Sequence, residues 1–315
     1  MNYISVKETA AKWGISQAQV RKYCAQDRIP KAKCKDGVWL IPEKAKKPGK
    51  VTAPAAGLVE LPPLAATLVR QKKKKSFHGL YDYVQIDLTY SSSRMASNRL
   101  TRGQVESIFR KGKVRESFEP MKVSDLIEVM NHCVCVDYIL DHIAEPLTQK
   151  MIQHLHLLLM FGTVDQRKGR VTPGTYRTDS DISRNRSLLP PAKINSSLGA
   201  LIKEYESQTD IGRNQILDFH VRFEQIFPFG DGNGRIGRLI MFKECLRHGV
   251  MPFILDDKHR SQYLAGLKDW PTDRSTFIEL VYAAQSRFEA QVELQQKLGQ
   301  YQPLVLPEDA EEEDL

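Results

Sequence analysis

Long hydrophobic runs are missing from this 315-residue chain. No segment approaches the ~20 consecutive apolar residues that a membrane-crossing helix needs, so no membrane partner is expected. Cysteine is scarce and odd in number: Cys24, Cys34, Cys133, Cys135 and Cys245. Scattered spacing of that kind does not make a disulfide framework. Cys133 and Cys135 lie beside His132, but no second ligand pair stands at zinc-like spacing. The residues around them follow an apolar helical pattern, so packing is the stronger reading. Met1 to Val6 lacks a basic stretch followed by an apolar one, so no secretory signal is expected and the cytoplasm is the expected location. Strand signals are sparse, and no internal repeat is found.

What is present is ordinary globular material, 41% hydrophobic and 27% charged, with room for one large domain and a small one. The net charge of +8 is unevenly placed. Residues 1–50 hold twelve Lys/Arg against four Asp/Glu, and the remaining chain is balanced. The excess points to a polyanionic partner for the first segment. Ser5-Val6-Lys7-Glu8 is a capping-box pattern that opens a helix carrying Ala10, Ala11 and Trp13 and ending at Gly14. Ser16 caps a second helix, with Val20 and Tyr23 inward and Gln17, Gln19, Arg21 and Lys22 on its exposed front, where base and phosphate contacts arise. Ile29 to Pro42 reads as a hairpin turning at Asp36-Gly37. A helix-turn-helix with a small hairpin wing over residues 1–45 resembles excisionase-like and MerR-like winged DNA-binding domains. DNA is the partner this resemblance implies. A small basic packing or protein-binding module is the alternative.

Residues 46–76, rich in proline and alanine, read as a linker, with Lys72 to Lys75 as a solvated basic face. Residues 77–300 are helical by pattern: Val123 to Ile143, Thr148 to Phe161, Ile194 to Tyr205, Ile216 to Ile226, Gly237 to His248, Arg260 to Trp270 and Thr276 to Lys297. A short hairpin is expected around Gly174, Thr175, Tyr176 and Arg177. The acidic tail, 301–315, is expected to be disordered. The fold class is an all-α helical bundle with a small β-hairpin flap, plus the small N-terminal winged helix-turn-helix domain.

The sharpest feature is Phe227-Pro228-Phe229-Gly230-Asp231-Gly232-Asn233-Gly234-Arg235-Ile236-Gly237-Arg238. One helix is broken at Pro228, and a second begins near Asn233. Glycines at 230, 232 and 234 let backbone N–H groups converge on an anion. The helix start adds its positive end. Arg235 and Arg238, spaced to share a helix face, supply two guanidiniums for several phosphates. Asp231 is a hard oxygen ligand suited to magnesium riding on them. A nucleoside triphosphate fits this set better than a single phosphate.

The run resembles the Fic family signature, His-Pro-Phe-x-Asp/Glu-Gly-Asn-Gly-Arg-x-x-Arg. Every specified position matches except the first, where Phe227 stands in place of the histidine. The flanks His220-x-Arg222-Phe223, Leu239 to Glu244 and Gly174 to Arg177 also look like Fic proteins, and the resemblance runs from about residue 85 to 290. It implies the Fic fold and transfer of AMP from ATP, with magnesium, to a hydroxyl of a target protein. Asp231 would then hold the metal and Asn233 the α-phosphate. Gly232 and Gly234 would lend backbone donors, Arg235 would grip the β-phosphate region and Arg238 the γ-phosphate. The flap from Gly174 would dock the target. The histidine would be the general base, and Phe227 cannot take a proton. His220 lies about 10 Å away along the same helix and has an ordinary packing explanation. The other histidines, including His132 and His156, have no motif linking them to the loop. Tyr263 and Leu267 line an adenine pocket or pack in the core.

Within residues 90–110, Ser92 to Thr101 looks like the family's inhibitory helix, with Ser92 at its serine position and Ala96 where the glutamate belongs. Arg238 would then lack its usual internal partner. Natural loss of both groups and engineered substitution are equally consistent with one sequence, and Ala96 in an unrelated helix is the plain alternative. Three functions follow: a nucleotide-binding regulator that no longer transfers AMP (a pseudoenzyme), a working adenylyltransferase of toxin-like kind, or a transcription factor using the Fic domain as scaffold. A homodimer is left open.

Overall fold

The computed structural model describes residues 3–17, 19, 20, 24, 29, 32–35, 38–45, 47, 61–74, 78–114, 121–178 and 189–298. The chain divides into two compact units, 1–60 and 61–315.

In the first unit the capping box forms as the sequence predicts. Ser5 Oγ accepts from the Glu8 N–H at 3.2 Å, and the Ser5 N–H donates to Glu8 Oε2 at 2.7 Å. These bonds open α1 (Val6–Trp13), which stops at Gly14 with φ +62°. Strands β2 (Lys33–Lys35) and β3 (Val38–Pro42) pair antiparallel, Lys33 opposite Leu40. Sequence reading missed β1 (Tyr3–Ser5), which lines the other side of β3 with Ile4 opposite Ile41. Three residues are too few to display a period of two. Gln17, Gln19, Val20 and Cys24 are helical, as expected for the second helix. Arg21, Lys22 and the Asp36-Gly37 turn lie outside the described residues. Val6, Ala10, Val20, Cys24, Ile29 and Ile41 form the unit's core.

In the second unit the expected helices appear within a few residues of their predicted bounds. The helices of this unit, expected and unexpected, follow in order as α2 (Pro63–Lys74), α3 (Leu80–Tyr83), a π-helical stretch Val84–Leu88, α4 (Thr89–Met95), α5 (Arg102–Lys111), α6 (Val123–Asp141), α7 (Gln149–Met160), α8 (Val164–Arg167), α9 (Pro191–Glu206), α10 (Arg213–Ile226), α11 (Asn233–Arg247), α12 (Arg260–Asp269) and α13 (Ser275–Lys297). Helix α11 is buried from Arg235 to Leu246 and forms the axis of the bundle.

Two expectations need correcting. The linker does not extend over α2, whose Ala65 and Leu68 are fully buried in the bundle core. Pro63 occupies the first helical position, where a missing N–H costs nothing, so proline here starts a helix instead of excluding one. Lys72 is not merely solvated but reaches Asp141 at 2.6 Å. The other correction concerns Gly174 to Arg177: Gly174, at φ +76°, lies in a turn closed by the Thr175 N–H on the Thr172 carbonyl at 3.1 Å, and Tyr176 and Arg177 follow without regular structure. Among the described residues no strand lies there, and 179–188 lie outside them, as does the acidic tail 301–315.

A charged network staples the far end of α11. The Lys243 ammonium, with no exposed surface, donates to the Glu145 carbonyl at 2.6 Å and to Glu244 Oε1 at 2.7 Å. Glu244 also accepts from the Tyr205 hydroxyl at 3.1 Å and from Arg247 at 3.2 Å, and Arg247 forks onto Glu206 of α9. Burial of this kind is tolerated because every charge meets several partners.

Candidate functional site

The loop between α10 and α11 is shaped by four local constraints. Phe227 ends α10 in the left-handed region, φ +49° and ψ 62°, and Pro228 follows. Arg177 is buried and donates from Nε to the Phe227 carbonyl at 2.8 Å, while its backbone N–H donates to the Pro228 carbonyl at 2.9 Å. Asn233 closes the turn from below. Its Oδ1 accepts from the Phe229 N–H at 2.9 Å, and its Nδ2 donates to the Phe229 carbonyl at 2.8 Å. Gly232, at φ +80°, is the residue before the first turn of α11, and a Cβ there would lie 3.1 Å from Leu159 Cδ2. The opening N–H groups of a helix lack intrahelical acceptors, so this turn presents donors at its positive end.

The residues expected as a docking flap brace this loop. The Gly174 N–H donates to His156 Nδ1 at 2.9 Å, the Tyr176 ring packs on Phe229 at 5.5 Å, and Arg177 holds the carbonyls just described. Thr175 is exposed. Asn233, assigned by resemblance to the α-phosphate, has both ends of its amide committed to the Phe229 backbone and fixes the loop's shape.

The two guanidiniums differ in what holds them. Arg235, 3% exposed, is gripped between carboxylates: Nη1 meets Glu128 Oε2 at 2.9 Å, and Nη2 meets Asp231 Oδ2 at 2.9 Å. Its Nε is buried with no partner. Arg238 lies against the first turn of α11, its Nη1 2.9 Å from where a Gly234 Cβ would sit. Among the described residues no carboxylate pairs with Arg238, whose expected glutamate partner is Ala96, but the guanidinium is held in another way. Its Nε donates to Ser92 Oγ at 3.1 Å and its Nη2 to the Ser92 carbonyl at 2.9 Å. Ser92 belongs to the last turn of α4, whose carbonyls form the negative end of a helix dipole. A helix terminus therefore sits where a carboxylate was expected, and both groups on Arg238 are neutral. Ala96 caps α4 and is exposed, and Ser97 follows at φ +69°. Arg94 pairs with Asp257 at 3.0 Å, and Arg260 donates to the Met95 carbonyl, which tie the segment to α12 and the turn before it.

Three imidazoles surround the loop, and none is placed as a free base. His220 is buried, and its Nε2 lies 2.9 Å from the Tyr263 hydroxyl. Burial and the Arg238 charge push it down to about 3. Tyr263 itself is buried beneath Arg238, its ring centroid 5.9 Å from the guanidinium carbon, so it packs in the core. Leu267 packs on the same core, partly buried. His156 corrects the expectation that it is unconnected to the loop. Its ring stacks flat on Phe229 at 3.9 Å, and burial pushes it down to about 4. Because Nδ1 accepts from Gly174, the neutral ring carries its proton on Nε2. His132 bonds the Thr89 hydroxyl at 3.0 Å through Nδ1, and burial with the Arg235 and Arg238 charges pushes it down to about 3.

Glu128, His132 and His156 were missed because their contacts cross from α6 and α7. His156 falls in register with Ile152, Leu155 and Leu159, a spacing that signals an inward face. Glu128 lies in a largely apolar pattern three residues after Asp125, with nothing local to tie it to Arg235. Orphaned polar atoms cluster here: Arg235 Nε, Ser93 Oγ, His132 Nε2 and His156 Nε2 are all buried without a partner. Buried donors of this kind are rare unless a ligand or water meets them.

The arrangement is a helix–loop–helix on a helical bundle, with two guanidiniums beside a helix N-terminus. Residues 146–245 match the model of the Fic/DOC family. Similar curated proteins include the protein adenylyltransferase Fic of Drosophila mojavensis, 26% identical over 212 residues, and that of Drosophila grimshawi, 27% identical over 212 residues. Each alignment covers 64% of this chain, which spans 38% and 40% of the two relatives' lengths. Among solved structures, a Fic domain containing signaling protein from Bacteroides thetaiotaomicron aligns with TM-score 0.58 at 20% identity, over 76% of this chain and 99% of that one. Fic-1 from C. elegans aligns with TM-score 0.55 at 18% identity, over 76% and 71%. The likeness extends the shared fold well beyond the signature itself.

Proposed function

We propose that this chain is an ATP-binding Fic protein, related to protein adenylyltransferases, in which AMP transfer is lost or strongly reduced. The observation that carries this reading is the contrast inside one loop. The loop keeps a helix start and two buried guanidiniums, while Phe227 has no lone pair and the nearby imidazoles are buried and neutral. ATP is the ligand suggested by the relatives' names and by the two arginines. Among the described residues no group of three or more His, Cys, Asp or Glu could hold a metal ion. Asp231, about half exposed, is a single oxygen ligand of the kind magnesium uses when phosphates and water complete its shell. The residues therefore fit magnesium carried in on the nucleotide, where it would neutralise phosphate charge. Arg238 and the first turn of α11 would orient the phosphates.

Calorimetric titration with ATP and magnesium tests the reading. Binding is expected, and Arg238→Ala is expected to weaken it about 10-fold or more, since a charge-assisted contact contributes about 1.5–3 kcal/mol. Absence of binding in both proteins would remove the proposal. The relatives' names favour a second reading, an active adenylyltransferase modifying a target hydroxyl, which label transfer by the unaltered chain would establish.

Residues 1–45 are proposed as the DNA-contacting part, on the strength of the charge excess and the Gln17/Gln19 helix. Fluorescence titration with duplex DNA is expected to lose affinity steeply between 50 and 200 mM salt, by about 10³-fold if six phosphates are contacted. Affinity independent of salt would exclude a phosphate-tracking surface.

A further inference from the structure

Arg235 is the better-neutralised of the two guanidiniums, and the partner responsible does not belong to the loop. Glu128 sits on α6, and its Oε2 takes Arg235 Nη1 at 2.9 Å while Asp231 takes Nη2. Two carboxylates on one guanidinium leave this corner net negative. Burial, with the charges of Asp231, Asp125 and Asp165, raises the Glu128 carboxyl above its ordinary value despite Arg235. An approaching phosphate therefore meets an arginine whose outer donors are taken. Arg238 differs, because both of its hydrogen-bond partners on Ser92 are neutral.

We propose that Glu128 is an affinity-setting residue of the nucleotide site: an internal carboxylate that occupies Arg235 and that a nucleotide phosphate must displace. The proposal rests on the reading that the loop binds a nucleoside triphosphate. Asp231 belongs to the loop itself, but Glu128 is anchored on a long helix beside the buried Val129. Removing its charge leaves Arg235 with one carboxylate, the remaining Nη hydrogens and an unpartnered Nε. The corner then becomes less negative by one charge. The Gln side chain keeps the size and a hydrogen-bond acceptor, so Glu128→Gln tests charge without removing volume.

The experiment is calorimetric titration of the full chain with ATP in magnesium, for the wild type, Glu128→Gln, Arg235→Ala and the double variant, each first checked for an unchanged melting profile. Glu128→Gln is expected to bind at least about tenfold tighter, the factor that one lost charge-assisted contact of about 1.4 kcal/mol yields. The gain is expected to vanish in the Arg235→Ala background, as coupling through that guanidinium demands. Glu128→Asp, which keeps the charge on a shorter arm, is expected to show a smaller gain and serves if the Gln variant does not fold. Unchanged or weaker binding in both Glu128 variants overturns the inference, and weaker binding would make Glu128 a support that positions Arg235. If the wild type binds ATP and the variants gain nothing, only this inference falls. If no protein in the set binds ATP, the nucleotide reading falls with it.

Discussion

Phe227→His is expected to give the chain AMP-transfer activity ~10²–10⁴ above the wild type, the range contributed by a positioned general base. The substitution changes little else. Phe227 already occupies the left-handed region at φ +49°, where a phenylalanine is strained and a histidine is among the more tolerant residues. Its carbonyl is held by Arg177 and the next carbonyl by the Arg177 N–H, so the backbone that sets the side chain's direction is fixed independently of the ring. An imidazole there gains the lone pair that Phe227 lacks. Incubation with α-labelled ATP and cell lysate reads the result as labelled protein. Equal labelling by the two chains would mean that another group supplies the base or that none is needed.

The second large effect concerns stability. Glu244→Ala is expected to cost about 3–5 kcal/mol, because it leaves the buried Lys243 charge without a carboxylate. Denaturant unfolding of the two proteins checks it. Glu244 also ties Tyr205 of α9 and Arg247 to the same point. Burial alone would raise its carboxyl, but hydrogen bonds from His248 and Lys243, with the Lys243 and Arg247 charges, hold it below its ordinary value. A carboxyl lowered on folding stabilises the native state above its unfolded pKa, and that contribution disappears as pH falls through the folded pKa. The wild type is therefore expected to lose its advantage over Glu244→Ala in acid. A loss under ~1 kcal/mol at neutral pH would show the network to be dispensable.

The helices of the bundle were legible because most are amphipathic at a clean period, and the capping box at Ser5 and Glu8 and the glycine stop at Gly14 formed as read. The loop was legible because glycines, a proline and two arginines concentrate in twelve residues. Contacts from distant segments were not. Ser92 was placed in a segment facing Arg238 only by resemblance, and half of its grip on that arginine uses a backbone carbonyl every residue has. Arg177 looked like part of a docking flap, and only packing reveals that its guanidinium holds the Phe227 carbonyl. Helix α2 was hidden by prolines that turned out to lie at its start, and β1 was too short to register.

Crystals of the wild-type chain grown with ATP and magnesium test the central claim most directly. The account predicts a triphosphate seated on the first turn of α11 between Arg235 and Arg238, with Phe227 still at the end of α10 and no imidazole beside the α-phosphate. A nucleotide bound elsewhere, a cradle that stays empty at saturating ATP, or a histidine swung into the place of the Phe227 ring would contradict it.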